Sequence, residues 1–199
     1  MKILKILCVL MIGVAFIGCK TTKVSRISTE ETTDLSGRWN DTDARLVAEE
    51  MVKDALSRPW LTNYVQDQGR KPVVIVGTVR NKSSEHIETL TFIKNIEREL
   101  INSGEVKFVA SKMERKEIRG EREDQQSWAS EETAKRLAAE TGADFMMQGV
   151  ITSITDAVQG KKVVYYQVNM ELVNLETTEK VWIGEKKIKK YIERSGVKW

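Results

Sequence analysis

Val163-Val164-Tyr165-Tyr166-Gln167-Val168-Asn169-Met170-Glu171-Leu172-Val173-Asn174-Leu175 is the stretch that decides the fold. Apolar side chains recur at every second position, and Tyr166, Val168, Met170 and Leu172 stripe one face. A period of two marks a strand with one buried face. Two further stretches alternate in the same way, Asp144–Ile154 before it and Lys180–Lys190 after it. Glu176-Thr177-Thr178-Glu179 predicts a hairpin loop, with Trp182 on the strand that follows. Three such strands in succession predict a meander.

Upstream the period lengthens. Asp41 or Thr42 can cap a helix that carries Ala44, Ala48, Met51, Val52 and Ala55 on one face and ends before Pro59. Gly69-Arg70-Lys71-Pro72 predicts a turn, and Val73-Val74-Ile75-Val76 a central strand buried on both faces. Leu90, Ile93, Ile96, Glu97 and Leu100 mark a second helix, with Gly104 as its C-cap. Val106–Val109 predicts a short strand and Ser111–Ile118 a charged helix. Ser130 opens another helix through Ala134, Leu137, Ala138 and Thr141, closed at Gly142. Helix–strand alternation followed by a meander predicts an α/β (α+β) sandwich. Its sheet is mixed and mostly antiparallel, of about four to five strands flanked by helices. Lys186, Lys187, Lys189 and Lys190 crowd the last strand. Lysines there guard a sheet edge against pairing with other chains; a basic docking patch is the alternative.

The N-terminus reads differently. Lys2 and Lys5 precede an apolar run, Ile6–Ile17, which Gly18 and Cys19 end. A charged start, a short apolar stretch and a small residue at the cut describe an export signal. The run falls short of the roughly 20 residues a membrane-spanning helix needs. Phe16-Ile17-Gly18-Cys19 resembles a lipobox, with Phe16 where leucine is usual. Residues 1–18 are then a lipoprotein signal peptide and Cys19 the lipid-attachment residue. An ordinary secretory signal cut elsewhere is the alternative. Buried acyl methylenes contribute about 0.8 kcal/mol each, so several chains hold a domain on a bilayer almost permanently. Lys20 stands where aspartate would signal inner-membrane retention, which favours the periplasm-facing leaflet of the outer membrane. Residues 19–38, rich in Thr, Ser and charge, read as the lipidated N-terminus and a flexible tether. Residues 39–199 then form a single globular domain.

Composition narrows the function. The formal net charge is +3, and loss of Lys2 and Lys5 with the signal leaves it near neutral. That gives no electrostatic footprint for nucleic acid. Cys8 leaves with the signal and Cys19 carries lipid, so no thiol remains for a disulfide, a metal or a nucleophile. His86 is the single histidine, and no P-loop, dinucleotide fingerprint, G-x-S-x-G or H-E-x-x-H is present. Nearly all the carboxylates lie in mixed-charge stretches that read as solvated helix faces; a glycosidase-style acid pair acting on peptidoglycan is the alternative. No catalytic residue, metal or cofactor is expected, and a binding module is the reading that remains.

Two polar segments are the candidate partner-binding residues. Asn81, Lys82, Glu85 and His86 follow the buried strand, where α/β sheets commonly place binding loops. The alternative is a plain connection in which Ser83 or Ser84 caps the next helix. Arg119, Glu121 and Arg122 supply charge-assisted donors and acceptors. There the alternative is a bent, charged helix end.

Trp39-Asn40-Asp41, the Asn81–Thr89 loop, Arg119-Gly120-Glu121-Arg122, Gly142-Ala143-Asp144-Phe145 and Glu179-Lys180-Val181-Trp182 together resemble the signatures of LpoB-type penicillin-binding protein activators. The resemblance runs from about residue 39 to 190. It implies a fold akin to the N-terminal domain of TolB. It also implies an outer-membrane lipoprotein that binds and stimulates a bifunctional peptidoglycan synthase, a penicillin-binding protein, and catalyses nothing itself. The tether here is short and has no proline before Pro59, unlike the long Pro-rich linker the resemblance implies. That shortness favours a second reading, a TolB-like structural or assembly lipoprotein of the envelope with no synthase partner.

Overall fold

The computed structural model describes residues 22–110, 114–121 and 142–193. The chain forms two compact units, Met1–Glu31 and Thr32–Trp199. In the first, Glu31 N donates to Ser28 O at 3.2 Å and closes a turn.

Among the described residues of the second unit, five strands form one sheet. They are β1 (Val73–Lys82), β2 (Lys107–Phe108), β3 (Phe145–Val158), β4 (Lys161–Asn174) and β5 (Lys180–Glu193), in the order β2-β1-β3-β4-β5. β1 runs parallel to β2 and β3, whereas β3, β4 and β5 are an antiparallel meander. The mixed, mostly antiparallel sheet expected from the sequence is the sheet observed. Its register aligns Met147 with Leu172 and Leu172 with Trp182, so the inward positions of three strands fall in rows. Tyr166, Val168, Met170 and Leu172 are buried, as the alternation requires.

Helices α1 (Asp41–Leu56) and α3 (Thr89–Ser103) cover that face, while α2 (Pro59–Gln68) connects α1 to β1. Val47, Ala48, Met51 and Ala55 of α1 and Phe92, Ile96 and Leu100 of α3 are buried at helical spacing. Gly184 on β5 makes the close approach of α1 feasible. A Cβ there would run into the Trp182 ring and lie 3.0 Å from Met51 Sδ.

The local details differ from the sequence reading in ways that have causes. Asn40, not Asp41 or Thr42, caps α1. Its side chain accepts from Asp43 N at 3.0 Å, and Asp43 Oδ2 accepts from Asn40 N at 3.0 Å, a reciprocal capping box. Helix α2 is absent from the sequence reading. Pro59 starts it, Trp60 Nε1 ties it back to Ala55 O at 2.7 Å, and Gly69 ends it at φ 63°. In α3 the buried stripe runs through Phe92, and Leu90 in the first turn is exposed. Glu88 caps that helix, its carboxylate accepting from Leu90 N at 3.0 Å, so neither Ser83 nor Ser84 has the role. β1 continues to Lys82, which places Asn81 and Lys82 at a strand end. Residues 114–121 are helical. The helix expected from Ser130, with Leu137, lies outside the described residues.

The lysines of the edge strand divide by parity. Lys187 and Lys189 project outward and fit edge protection. Lys186 and Lys190 point towards α1, where Lys186 pairs with Glu50 and Lys190 with Asp43.

Candidate functional site

The loop that leaves β1 turns much of its polarity inward. Asn81 Nδ2 donates to Glu85 O at 2.8 Å, and Asn81 Oδ1 accepts from Ser83 N at 2.9 Å and Ser83 Oγ at 2.7 Å. Ser84 N donates to Ser153 Oγ on β3 at 3.0 Å. Glu85 Oε2 accepts from Tyr166 Oη at 2.7 Å and from Trp39 N at 3.1 Å. The Trp39 ring meets Tyr166 and Phe92 edge-on, with centroids 5.7 and 6.2 Å away. Burial, then the Glu85 carboxylate, pushes the Tyr166 hydroxyl well above the ordinary tyrosine range. Glu85 Oε1 is also buried, without a hydrogen-bond partner. Asn81 and Glu85 are therefore the struts of this loop, and Lys82, Ser84 and His86 are exposed.

Beside the loop lies a buried ionic cluster. Lys190 Nζ donates to Asp43 Oδ2 and Asp34 Oδ1, both at 2.6 Å, and to Arg38 O at 3.1 Å. The side chains of Lys190 and Asp43 are each only 9% exposed. Burial works against the ammonium charge, yet the two carboxylates hold its pKa above the ordinary lysine value. Asp43 goes the other way from a usual ion-paired carboxylate. Burial raises its pKa, and the bonds from Lys190 and from Asn40 N do not reverse that. Asp34 and Arg38 belong to the segment that reads as tether, and Lys190 pins both to the domain.

At the opposite end of β3, Asp144 is held by a clasp. Its carboxylate accepts from Arg70 Nη1 and Nη2 at 2.8 Å each, and from Val73 N at 2.7 Å. The Arg70 guanidinium lies 5.4 Å from the centroid of the Tyr64 ring. Burial, then Asp144, pushes the Tyr64 hydroxyl up to about 12. Partial burial raises the Asp144 pKa, but the bonds from Arg70 and Val73 outweigh it and hold the carboxyl below its usual range. Trp182 plays a related part, its Nε1 donating to Asp54 Oδ2 at 2.8 Å and lowering the Asp54 pKa.

Four of the five motifs that carry the family resemblance thus supply fasteners. Trp39-Asn40, the Asn81–Glu85 loop, Asp144 and Trp182 hold elements together from within. Arg119 and Glu121 stand exposed on the helix 114–121, and each has a partner. Arg122 lies outside the described residues, as does Cys19. The alternation put Tyr166 on the buried face, but its bond to Glu85 and the inward roles of Asp43 and Lys190 were missed. The Asn40-x-x-Asp43 spacing of a capping box was the available signal for Asp43. For Lys190 the signal was its place in the inward parity of β5.

Among the described residues, no group of three or more His, Cys, Asp or Glu side chains could hold a metal ion. No helix among them is long and apolar enough to cross a membrane.

No curated protein matches the chain. Among solved structures it is similar to the LpoB C-terminal domain from Salmonella enterica, at 16% identity over 65% of this chain and 93% of that one, with a TM-score of 0.36. The LpoB C-terminal domain from Escherichia coli gives the same identity and coverage with a TM-score of 0.38. The lipoprotein GNA1162 from Neisseria meningitidis gives 14% identity over 63% of this chain and 88% of that one, with a TM-score of 0.36. Residues 43–188, from the first turn of α1 into β5, match the family described as peptidoglycan-synthase activator LpoB, and the chain belongs to that family.

Proposed function

We propose that this protein is a lipid-anchored, periplasm-facing lipoprotein of the outer membrane that binds a bifunctional peptidoglycan synthase, a penicillin-binding protein, and stimulates it. Family membership across nearly the whole folded domain is the observation that carries this reading. The protein acts as an effector and not as a catalyst. It binds the active conformation of the synthase more tightly than the inactive one, and the difference in affinity is the activation.

The docking surface includes Lys82 and His86 at the end of β1, with Arg119, Glu121 and Arg122 of the second polar segment. Asn81 and Glu85 contribute by holding the loop in shape. Interface energy concentrates in few residues, so Lys82→Glu with His86→Ala weakens synthase binding by about 1–3 kcal/mol without changing the thermal melt. Binding and glycan polymerisation measured with a purified synthase test this. Wild-type affinity in the double variant places the contact elsewhere, with the Lys187–Lys189 edge next in line. Anchoring is tested separately by Cys19→Ser, which releases the mature domain from membranes or leaves the precursor uncleaved. A variant that is processed and still fractionates with membranes removes Cys19 as the anchor.

A structural or assembly role in the envelope is the second reading, and the tether favours it. The folded unit begins at Thr32, so few residues stand between Cys19 and that point. Crosslinking in intact cells separates the readings by whether the captured protein is a synthase.

A further inference from the structure

Strand β1 carries an extra residue. Val76 aligns with Met147 of β3 and Val79 with Gly149, so Gly77 and Thr78 together face Gln148. A bulge of this kind flips the parity of the strand beyond it. Without it Arg80 would continue the inward series of Val74 and Val76, beneath the helices. With it Val79 turns in, 3% exposed, and Arg80 and Lys82 turn out onto the face opposite α1 and α3. Arg80 then stands in a row with Val150 of β3 and Asn169 of β4, and Lys82 in the next row with Thr152 and Gln167. Here the sheet surface holds a cleft of about 390 Å³, with Thr78, Arg80, Gln148, Val150, Asn169 and Glu171 in its walls.

The hydrogen bonding of this cleft is lopsided. Glu171 is its carboxylate, and both oxygens are taken: Oε1 accepts from Gln148 Nε2 at 2.8 Å, and Oε2 meets Lys180 Nζ at 2.6 Å. The bond from Lys180 outweighs partial burial and holds that carboxyl below its usual range, with Arg80 adding at longer range. Glu185, at the far end of the Arg80 row, pairs with Lys187 at 2.6 Å. On the donor side, Tyr165 Oη donates to Gln167 Oε1 at 3.1 Å, and Gln167 Nε2 to Asn169 Oδ1 at 2.9 Å. That chain fixes the Asn169 amide with its oxygen occupied and its Nδ2 without an acceptor among the described residues. Arg80 and Lys82 likewise make no hydrogen bond or ion pair among the described residues.

The cleft lacks an acceptor. A guanidinium fork and a planar amide flank Val150 two strand spacings apart, about 10 Å between backbones. Both can reach a carboxylate laid over that valine. We propose that this cleft seats a carboxylate from an acidic, extended segment of the protein partner, gripped by Arg80 and Asn169 with Lys82 beside it. The inference rests on the reading of the protein as a synthase-binding module, and it names the chemistry the synthase must present. It also gives the bulge a role, since only the flipped parity brings Arg80 to the same face as Asn169.

The test uses an isotopically labelled chain beginning at Lys20, which keeps the whole core, since every core residue lies within the Thr32–Trp199 unit. It is titrated by NMR with a short synthetic peptide that alternates Glu with Thr. The expected result is saturable shifts of the Asn169 side-chain amide and the Arg80 Nε–H, with binding weakened by added salt. Arg80→Gln and Asn169→Thr each weaken it about tenfold or more. Lys161→Gln, the same charge loss at the β3–β4 hairpin end, leaves it unchanged. Unchanged thermal melts confirm that the variants are folded. Absence of shifts at Arg80 and Asn169 overturns the proposal. So does equal binding of the same peptide with Gln in place of Glu, or equal loss in Lys161→Gln, which means net charge alone is sensed. Full displacement by acetate at matched carboxylate concentration marks a small-anion site and also overturns it. A second arm measures affinity for a purified synthase. Arg80→Gln lowers it in the same proportion, and full affinity in that variant overturns the docking role. Because the peptide arm contains no synthase, a wild-type chain that seats the peptide and ignores the synthase sinks the synthase reading and leaves the site standing.

Discussion

Two polar clusters stand at opposite ends of β3 and β4, and they are built on opposite principles. The Lys190 cluster puts a lysine and an aspartate, each 9% exposed, inside the domain. The Arg70–Asp144 clasp leaves Arg70 46% and Asp144 20% exposed. In the first, desolvation is large, and stability depends on every charge keeping its partner. In the second, water screens the pair, and what counts is geometry: a bidentate fork that also fixes Val73 at the start of β1. The buried cluster is therefore the fragile one. It holds the segment Asp34–Arg38 against the domain, whereas the clasp only trims a strand end.

The largest effect is expected at Lys190. Lys190→Met leaves Asp43 buried without its cation and lowers stability by about 3–5 kcal/mol in chemical denaturation. Adding Asp43→Asn, which keeps an oxygen for the capping box, recovers part of that loss. If the double variant is no more stable than Lys190→Met, stranded charge is not the cause. Leu172→Ala, in the apolar face between the two clusters, costs about 2–5 kcal/mol. An unchanged melting temperature would place Leu172 outside the core.

Next comes Tyr166→Phe, which removes the hydroxyl that Glu85 accepts and costs about 1–3 kcal/mol. Synthase affinity falls with it only if the loop loses its shape, so measuring melt and binding together separates strut from contact. Arg70→Ala has the smallest effect at neutral pH, below that of Tyr166→Phe, and its pH dependence is the sharper readout. The Asp144 pKa is depressed in the folded state, so its contribution is present above the ordinary carboxylate pKa and is lost as pH falls through the lower folded value. The difference between wild type and Arg70→Ala narrows on acidification. The Asp43 pKa is raised, so its protonation favours the fold and its contribution to acid stability has the opposite sign. A gap between wild type and Arg70→Ala that stays constant into acid would mean the clasp is not ionic.

The five motifs behind the family resemblance are visible as residues, but four of them look like surface signatures in sequence and work as internal fasteners in the fold. Glu85 illustrates why. In a run such as Asn81-Lys82-Ser83-Ser84-Glu85-His86 every side chain is polar, and nothing local separates those that face solvent from those that face Tyr166, 81 residues away. Helix α2 escaped because Trp60 and Tyr64 pack edge-on against Phe145 instead of repeating a stripe over several turns. In α3 Ile96, Glu97 and Leu100 are buried as their spacing requires, and packing puts Phe92 in place of Leu90 at the head of the stripe.

The sequence by itself determined the meander, the two covering helices, the glycine end of α3 at Gly104 and the class of the sheet. Those follow from periodicity and turn chemistry, which act over a few residues. Tertiary structure alone decided which polar groups are struts and which are free. It turned Lys190 and Lys186 inward and Lys187 and Lys189 outward, and it tied Asp34 and Arg38 to β5. Burial of a charge is settled by which distant carboxylate arrives to meet it, and that pairing has no period to read.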